Sequence, residues 1–211
     1  MSILDLDRLR DTEVISEPFE YLIVPDFVRP EAREAIGNDY PNIEDGGSFP
    51  LSSLTYGPSF GAFCDALRGE ELARIFSEKF NVDLVNLPTT LTVRGRCRKK
   101  DGAVHIDSRT KVITVLIYLN DGWADGGGRL RLLRSKDIND VITEIPPDAG
   151  LMLAFLNREN AWHGHLPFEG ERRVIQLNWV VSESAARSSA WRHSVSAFFK
   201  RTFRRNKVPA G

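Results

Sequence analysis

The chain has 211 residues, 42% of them hydrophobic and 27% charged, and a formal net charge of −1. That is enough chain for one substantial domain with a core of its own, and the balance excludes a disordered polyelectrolyte. No apolar run reaches the roughly 18 residues of a membrane span, so no transmembrane helix is expected.

Along the chain, Met1 to Asp7 is acidic and lacks a long apolar stretch, which argues against a secretory signal and for a cytoplasmic protein. Phe19 to Val28 reads as an opening strand and turn. Pro30, suited to a first helical turn, starts a short helix to about Gly37. Asp39 to Leu54, rich in Gly, Pro, Ser and Asn, reads as irregular. Pro58 to Leu67 and Glu70 to Phe80 have helical spacing, with Gly69 as the break. After Pro88 the pattern becomes that of strands: Thr90 to Arg96, Val104 to Asp107, Lys111 to Asn120, Arg129 to Leu133, Leu151 to Phe155 and Val174 to Val181. Gly126-Gly127-Gly128 and the Pro146 to Gly150 segment are turns. Helices followed by a run of strands predict an α+β fold, a double-stranded β-helix (jelly roll) with N-terminal helices packed on one sheet. Cys64 and Cys97 fit no zinc pattern and read as reduced packing cysteines.

Charge divides the chain. Glu183 is the last acidic residue, and seven Lys or Arg follow it, from Arg187 to Lys207. We expect a single domain over residues 1–186, with its motif-bearing core at 90–181, and a basic tail over 187–211. Within the tail Trp191, Val195, Phe198, Phe199 and Phe203 have helical spacing among the basic residues. An amphipathic helix there would either lie on an anionic membrane surface or pack on the protein's own acidic body.

The most informative triplet is His105-Ile106-Asp107. On a strand, positions i and i+2 share a face, so one imidazole and one carboxylate can aim at a single ion. With His163 as a third ligand the set is two histidines and a carboxylate, that of a non-haem Fe(II) site with open positions for further ligands. An arginine on the last strand could hold the carboxylate of an organic co-substrate.

The ordered motifs resemble the Fe(II)/2-oxoglutarate-dependent dioxygenase superfamily, in its prolyl-hydroxylase-like branch. They are His105-Ile-Asp107, Val115 to Trp123, Gly126 to Leu130, Pro147 to Phe155, Trp162-His163-Gly-His-Leu-Pro167 and Gly170 to Trp179. By that resemblance His105, Asp107 and His163 hold Fe(II), with His165 as the competing candidate for the third place. Arg173 takes the distal carboxylate of 2-oxoglutarate. It is preferred over Arg172 because it shares strand parity with Trp179, six positions on. Tyr118 assists at the same carboxylate, or is simply a buried strand tyrosine, and Trp179 is a pocket wall or plain core. Thr114 and Leu116 share the face of Tyr118.

The resemblance implies Fe(II) as cofactor, 2-oxoglutarate and O2 as co-substrates and ascorbate as reductant. It implies hydroxylation of a C–H bond with release of succinate and CO2, and no side chain acting as general acid or base. Asp107 favours hydroxylation, because halogenating relatives lack that carboxylate. The substrate is open: a protein side chain, an envelope sugar or lipid, or a small metabolite, with no nucleic acid expected. The basic segment Arg94 to Lys100, where relatives often carry an aromatic residue, is either a solvated loop or a seat for an anionic group of the substrate. The competing readings are a non-catalytic jelly-roll module that binds a metal or a carbohydrate, and a zinc or manganese cupin-like enzyme.

Overall fold

Aliphatic and aromatic side chains recur at every second position along the strands of the second half, and this alternation gives the large sheet two unlike faces. The computed structural model describes residues 2–188. Its elements in chain order are α1 (Leu6–Asp11), β1 (Tyr21–Val24), α2 (Pro30–Asn38), β2 (Phe49–Pro50), α3 (Pro58–Leu67) and α4 (Glu70–Phe80). Then come β3 (Thr89–Cys97), β4 (Lys111–Tyr118), β5 (Leu130–Leu133), β6 (Val141–Ile145), β7 (Met152–Leu156), β8 (Trp162–His165) and β9 (Gly170–Val180). Six strands form one antiparallel sheet in the order β1-β7-β4-β9-β3-β2, and three form a second in the order β6-β5-β8. The arrangement is consistent with a jelly roll.

One face of the large sheet carries Leu91, Val93, Ile113, Val115, Ile117, Ile175, Leu177 and Trp179. These share a buried cluster with Leu9 of α1, Ile36 of α2, Phe60 and Phe63 of α3, and Leu72, Ile75 and Phe76 of α4. Trp179 and Phe76 meet edge to face, ring centroids 5.5 Å apart, an aromatic contact that adds to simple burial. The opposite face contributes Tyr118, Leu153, Phe155 and Val174 to a second cluster, which Leu130, Leu132 and Ile145 of the small sheet complete.

Helix ends follow local rules. Pro30 and Pro58 stand at first helical positions, where the missing N–H costs nothing. Asn81 closes α4 in the left-handed conformation at φ 51°, a geometry that asparagine tolerates better than most residues. Short α1, β6 and β8 were not anticipated in the sequence. The segment around His105 was expected to be a strand, yet it makes only an isolated bridge from His105 to His163. The aromatic stripe of the tail lies outside the described residues, and no described helix is long and apolar enough to cross a membrane.

Truncating Trp179 leaves a large hole between sheet and helices and removes nothing from the other face. Trp179→Ala is expected to cost about 3–5 kcal/mol, read as a lowered urea midpoint. A midpoint within error of the wild type would show that this contact carries no stability.

Candidate metal centre

Three chain segments meet at one point. His105 and His163 exchange backbone hydrogen bonds of 3.0 Å in both directions, which sets their rings 4.3 Å apart. Glycine at 164 permits this approach. A Cβ there would lie 2.8 Å from the Gly102 carbonyl oxygen and 3.1 Å from Val104 Cα. The His105 segment therefore rests directly on the backbone of β8. Asp107 comes from the loop leading into β4. The ligand atoms of His105, Asp107 and His163 all lie within 4.8 Å of one another. The expected trio is thus brought together, though by a bridge and a loop rather than by the pleat of one strand.

Each imidazole is oriented. The Nδ1 of His105 lies 2.8 Å from the Ala103 carbonyl oxygen, and that of His163 lies 3.0 Å from the Ala161 carbonyl oxygen. A carbonyl can only accept, so each Nδ1 carries a proton, and Nε2 is the nitrogen turned to the metal position, as in metal-binding histidines. Burial lowers the pKa of His163 to about 4, with the Asp107 carboxylate opposing. It also lowers that of His165 to about 4, helped by the Arg172 charge. His163 is therefore neutral near pH 7 and can bind a cation without first losing a proton.

Asp107 is held from both sides. Thr114 Oγ1 donates to its Oδ2 at 2.5 Å, and Lys111 Nζ donates to its Oδ1 at 2.7 Å. Burial pushes this carboxyl up, but the Lys111 ammonium and the neighbouring His163 outweigh it, and the pKa lies below the ordinary value. The Thr114 hydroxyl also lies 3.0 Å from Asn178 Oδ1 and cannot donate to both oxygens at once. Lys111 reaches the site because β4 is irregular at its start. Lys111 pairs with Val180 and Ile113 with Trp179, so two residues of β4 oppose one of β9. Such a bulge turns a side chain to the other face.

The trio opens on a cavity of about 210 Å³, walled by Thr114 and Leu116 of β4, Gln176 and Asn178 of β9, Thr92 of β3 and His165 of β8. His165 thus shares the cavity and sits outside the trio. Arg172 also lines the cavity, whereas Arg173 does not. Arg172 is only 5% exposed. Its Nε donates to the Gly128 carbonyl oxygen at 2.8 Å, and its guanidinium stands 5.4 Å from the centre of the Tyr118 ring. No carboxylate pairs with it among the described residues. The Tyr118 hydroxyl, fully buried behind the cavity wall, is the only buried side-chain polar atom among the described residues without a hydrogen-bond partner. Burial pushes this phenol up, against the Arg172 charge.

Two expectations need correction. Arg173 and Trp179 do share a face, but it is the one turned to the helices. Arg173 pairs with Glu171 at 2.7 Å and lies over the Tyr40 ring, and Trp179 is in the core with Phe76. The register explains why. Tyr118 sits opposite Val174, Leu116 opposite Gln176 and Thr114 opposite Asn178, and directly paired residues point the same way. The cavity face of β9 is therefore Arg172, Val174, Gln176 and Asn178. The signal was present in the sequence: Ile175, Leu177 and Trp179 form an apolar row, and the interleaved polar row faces the ligand space. The basic rim is also less free than expected, since Arg94 and Arg98 both pair with Asp101, at 3.0 and 2.8 Å. Burial opposes them, yet they hold that carboxyl down to about 2.

Residues 96–181 match the family model described as the 2OG-Fe(II) oxygenase superfamily. The solved structures similar to this chain include a prolyl-4-hydroxylase from Pseudomonas putida. It has 17% identity and a TM-score of 0.52, with 83% of this chain and 92% of that one covered. Another is the viral collagen prolyl hydroxylase of Paramecium Bursaria Chlorella virus-1 in complex with 2OG, at 16% identity, TM-score 0.53 and coverages of 76% and 94%. HygX from Streptomyces hygroscopicus, with nickel and 2-oxoglutarate bound, has 13% identity, TM-score 0.52 and coverages of 77% and 82%. At these identities the likeness is one of fold. No curated protein matches the chain in sequence. The matched stretch contains all three members of the trio and Arg172, so the part of the chain that resembles the 2OG-Fe(II) oxygenase superfamily is the part that builds this site.

Two outcomes test this geometry. Gly164→Ala should push the His105 segment off β8 and weaken binding of Mn(II) about 10- to 100-fold, measured by calorimetry, although no ligand is changed. Unchanged affinity would mean that the close approach is not what positions His105. For pH the sign follows from the depressed imidazole pKa values. The unfolded chain takes up protons near 6.5 and the folded one only near 4, so the metal-free protein loses stability as pH falls through that window. The loss is on the order of 3 kcal/mol for each fully shifted histidine. Equal urea midpoints at pH 7 and pH 4.5 would contradict it.

Proposed function

We propose that the protein is a 2-oxoglutarate-dependent hydroxylase in which His105, Asp107 and His163 hold Fe(II), and Arg172 with Tyr118 receives the distal carboxylate of 2-oxoglutarate. The observation that carries the reading is the pairing, in one cavity, of a facial trio with a buried cation that lacks a carboxylate. An unpaired guanidinium at 5% exposure is costly unless an anion completes it. The Tyr118 hydroxyl beside it, whose oxygen the Arg172 guanidinium approaches, meets no acceptor among the described residues and keeps its proton free to donate. Guanidinium and phenol together match a carboxylate with two oxygens. The donor set, two imidazoles and one carboxylate, fits Fe(II) and leaves positions open.

When bound, iron and 2-oxoglutarate supply an oxidant for C–H bonds as the 2-oxoacid is converted to succinate and CO2, with ascorbate as the expected reductant. The chain's own residues do the rest. Thr114 holds Asp107 by its Oδ2 and leaves Oδ1 facing His105, whose Nε2 is 4.0 Å away. The Ala103 and Ala161 carbonyls fix the ring orientations. Gln176 and Asn178 carry a hydrogen-bonded polar wall, Gln176 Nε2 donating to Asn178 Oδ1 at 3.1 Å. Leu116, Leu130 and Val174 keep the middle of the cavity apolar. His105 is half exposed, so the metal end is the open end through which a substrate can enter. The substrate belongs to one of three classes, a protein side chain, an envelope sugar or lipid, or a small metabolite. The seven basic residues of the tail are suited to an anionic membrane surface, which would bring a cytoplasmic enzyme to a membrane-borne substrate.

The test is a comparison of the two neighbouring arginines. Arg172→Ala should weaken 2-oxoglutarate binding by about 100-fold, as expected for removing one partner of a buried charge pair, and should remove succinate release at ordinary co-substrate concentrations. Arg173→Ala should leave the dissociation constant within about twofold of the wild type, since its side chain lies across the sheet. The reverse ranking in a calorimetric titration would overturn the assignment.

A further inference from the structure

Lys111 is left without a full partner once the proposed centre is loaded. Its ammonium donates to Asp107 Oδ1, the oxygen that faces His105 and so the one a cation in the trio takes. Asp107 Oδ2 is already held by Thr114. A divalent ion on that oxygen draws off the negative charge that Lys111 is paired with, and the lysine side chain is only 19% exposed. Water reaches it poorly, and a like-charged neighbour arrives beside it.

A count of charges sharpens the point. Around the trio stand the metal, Asp107, Lys111 and the metal-binding carboxylate of the co-substrate, with the imidazoles neutral. Two negative charges face three positive ones, and one positive charge remains. At the other end, the distal carboxylate is matched by Arg172. Arg94, the third basic residue of the cavity, is already paired with Asp101. The surplus therefore sits at Lys111, at the open end of the cavity. The irregular start of β4 turns this residue inward, where a regular pairing would have sent it to the helix side.

We propose that Lys111 is a specificity-determining seat for an anionic group of the substrate, a carboxylate or a phosphate, beside the metal centre. This rests on the preceding reading of the trio and of Arg172. The ammonium swings from Asp107 to the incoming anion as the metal takes its oxygen, and so orients the substrate relative to the reacting position. A neutral peptide or sugar would leave the surplus charge unanswered, which makes anionic substrates the favoured class.

The experiment uses the full chain loaded with Zn(II), which does not turn over, and saturated with 2-oxoglutarate. Inorganic phosphate and acetate are titrated separately by calorimetry, so that the two arms distinguish a phosphate seat from a carboxylate seat. Saturable binding of at least one is expected. Lys111→Met should weaken it by about tenfold or more, while Lys111→Arg, which keeps the charge, should stay within about threefold. Lys111→Gln serves if the methionine variant loses its fold by circular dichroism. The affinity for 2-oxoglutarate, measured in the same samples, should fall by less than the affinity for the anion. Failure of both anions to bind the wild type would overturn the proposal, as would equal binding by the neutral variants. A loss of 2-oxoglutarate affinity in Lys111→Met without a loss of anion binding would also overturn it, by assigning Lys111 to the co-substrate. If the wild type itself binds no 2-oxoglutarate, the reading of Arg172 falls. Anion binding to the zinc-loaded protein alone then still decides the role of Lys111.

Discussion

The pleat of β9 is the constraint on which the rest of the molecule depends. Successive side chains of a strand must point to opposite faces, and this strand has another large-sheet strand on each side, so it cannot slip on one side without slipping on the other. Its pairing with β4 and β3 fixes a single frame in which Thr114 meets Asn178, and Thr92 meets Gln176. One row of β9 then belongs wholly to the helix-facing core and the other wholly to the cavity. A shift of one residue would bury Arg172 and Gln176 among the phenylalanines of α3 and α4 and place Trp179 in the cavity. The hydrophobic effect thus selects the register, and the chemistry inherits it.

Much of this was legible in the sequence, and the unread parts have physical causes. The boundaries of α3 and α4 follow from Pro58, Gly69 and the helical spacing of their aromatics. The long strands declare themselves by β-branched alternation. The trio was legible because His-x-Asp and a distant histidine are an unusual set. What failed was the assignment of faces on β9. Strand parity tied Arg173 to Trp179 correctly, but parity alone does not say which face holds the ligand. The polar row of Arg172, Gln176 and Asn178 does say so, because a buried cavity tolerates hydrogen-bonding groups that a core does not. Lys111 was less accessible still. A bulge is a local mismatch between two strands distant in sequence, and periodicity within one of them does not reveal it.

The charges of the site are arranged as two separated demands. At the closed end a buried guanidinium lines the cavity with no acid beside it, and a phenol stands behind it in the wall. At the open end a carboxylate is stretched between a hydroxyl and an ammonium. Leu116 and Val174 stand between, which keeps the two fields distinct. Such a cavity discriminates by where a ligand carries its charges as well as by shape. A molecule with a single anionic end meets only half of it. Asp101 shows the contrasting case outside, where two arginines on one acid spend their charge on the fold itself.

The position of β9 in the sheet has a further consequence for how the chain is made. It is the last of the described strands to be synthesised, yet it lies between β4 and β3, with β7 and β1 beyond one and β2 beyond the other. Until it emerges from the ribosome, the two halves of the large sheet have no common neighbour, and their inward faces are exposed strand edges. The cavity wall that carries Arg172, Gln176 and Asn178 is thus the last part of the large sheet to be made, and the site cannot be complete before that strand is in place.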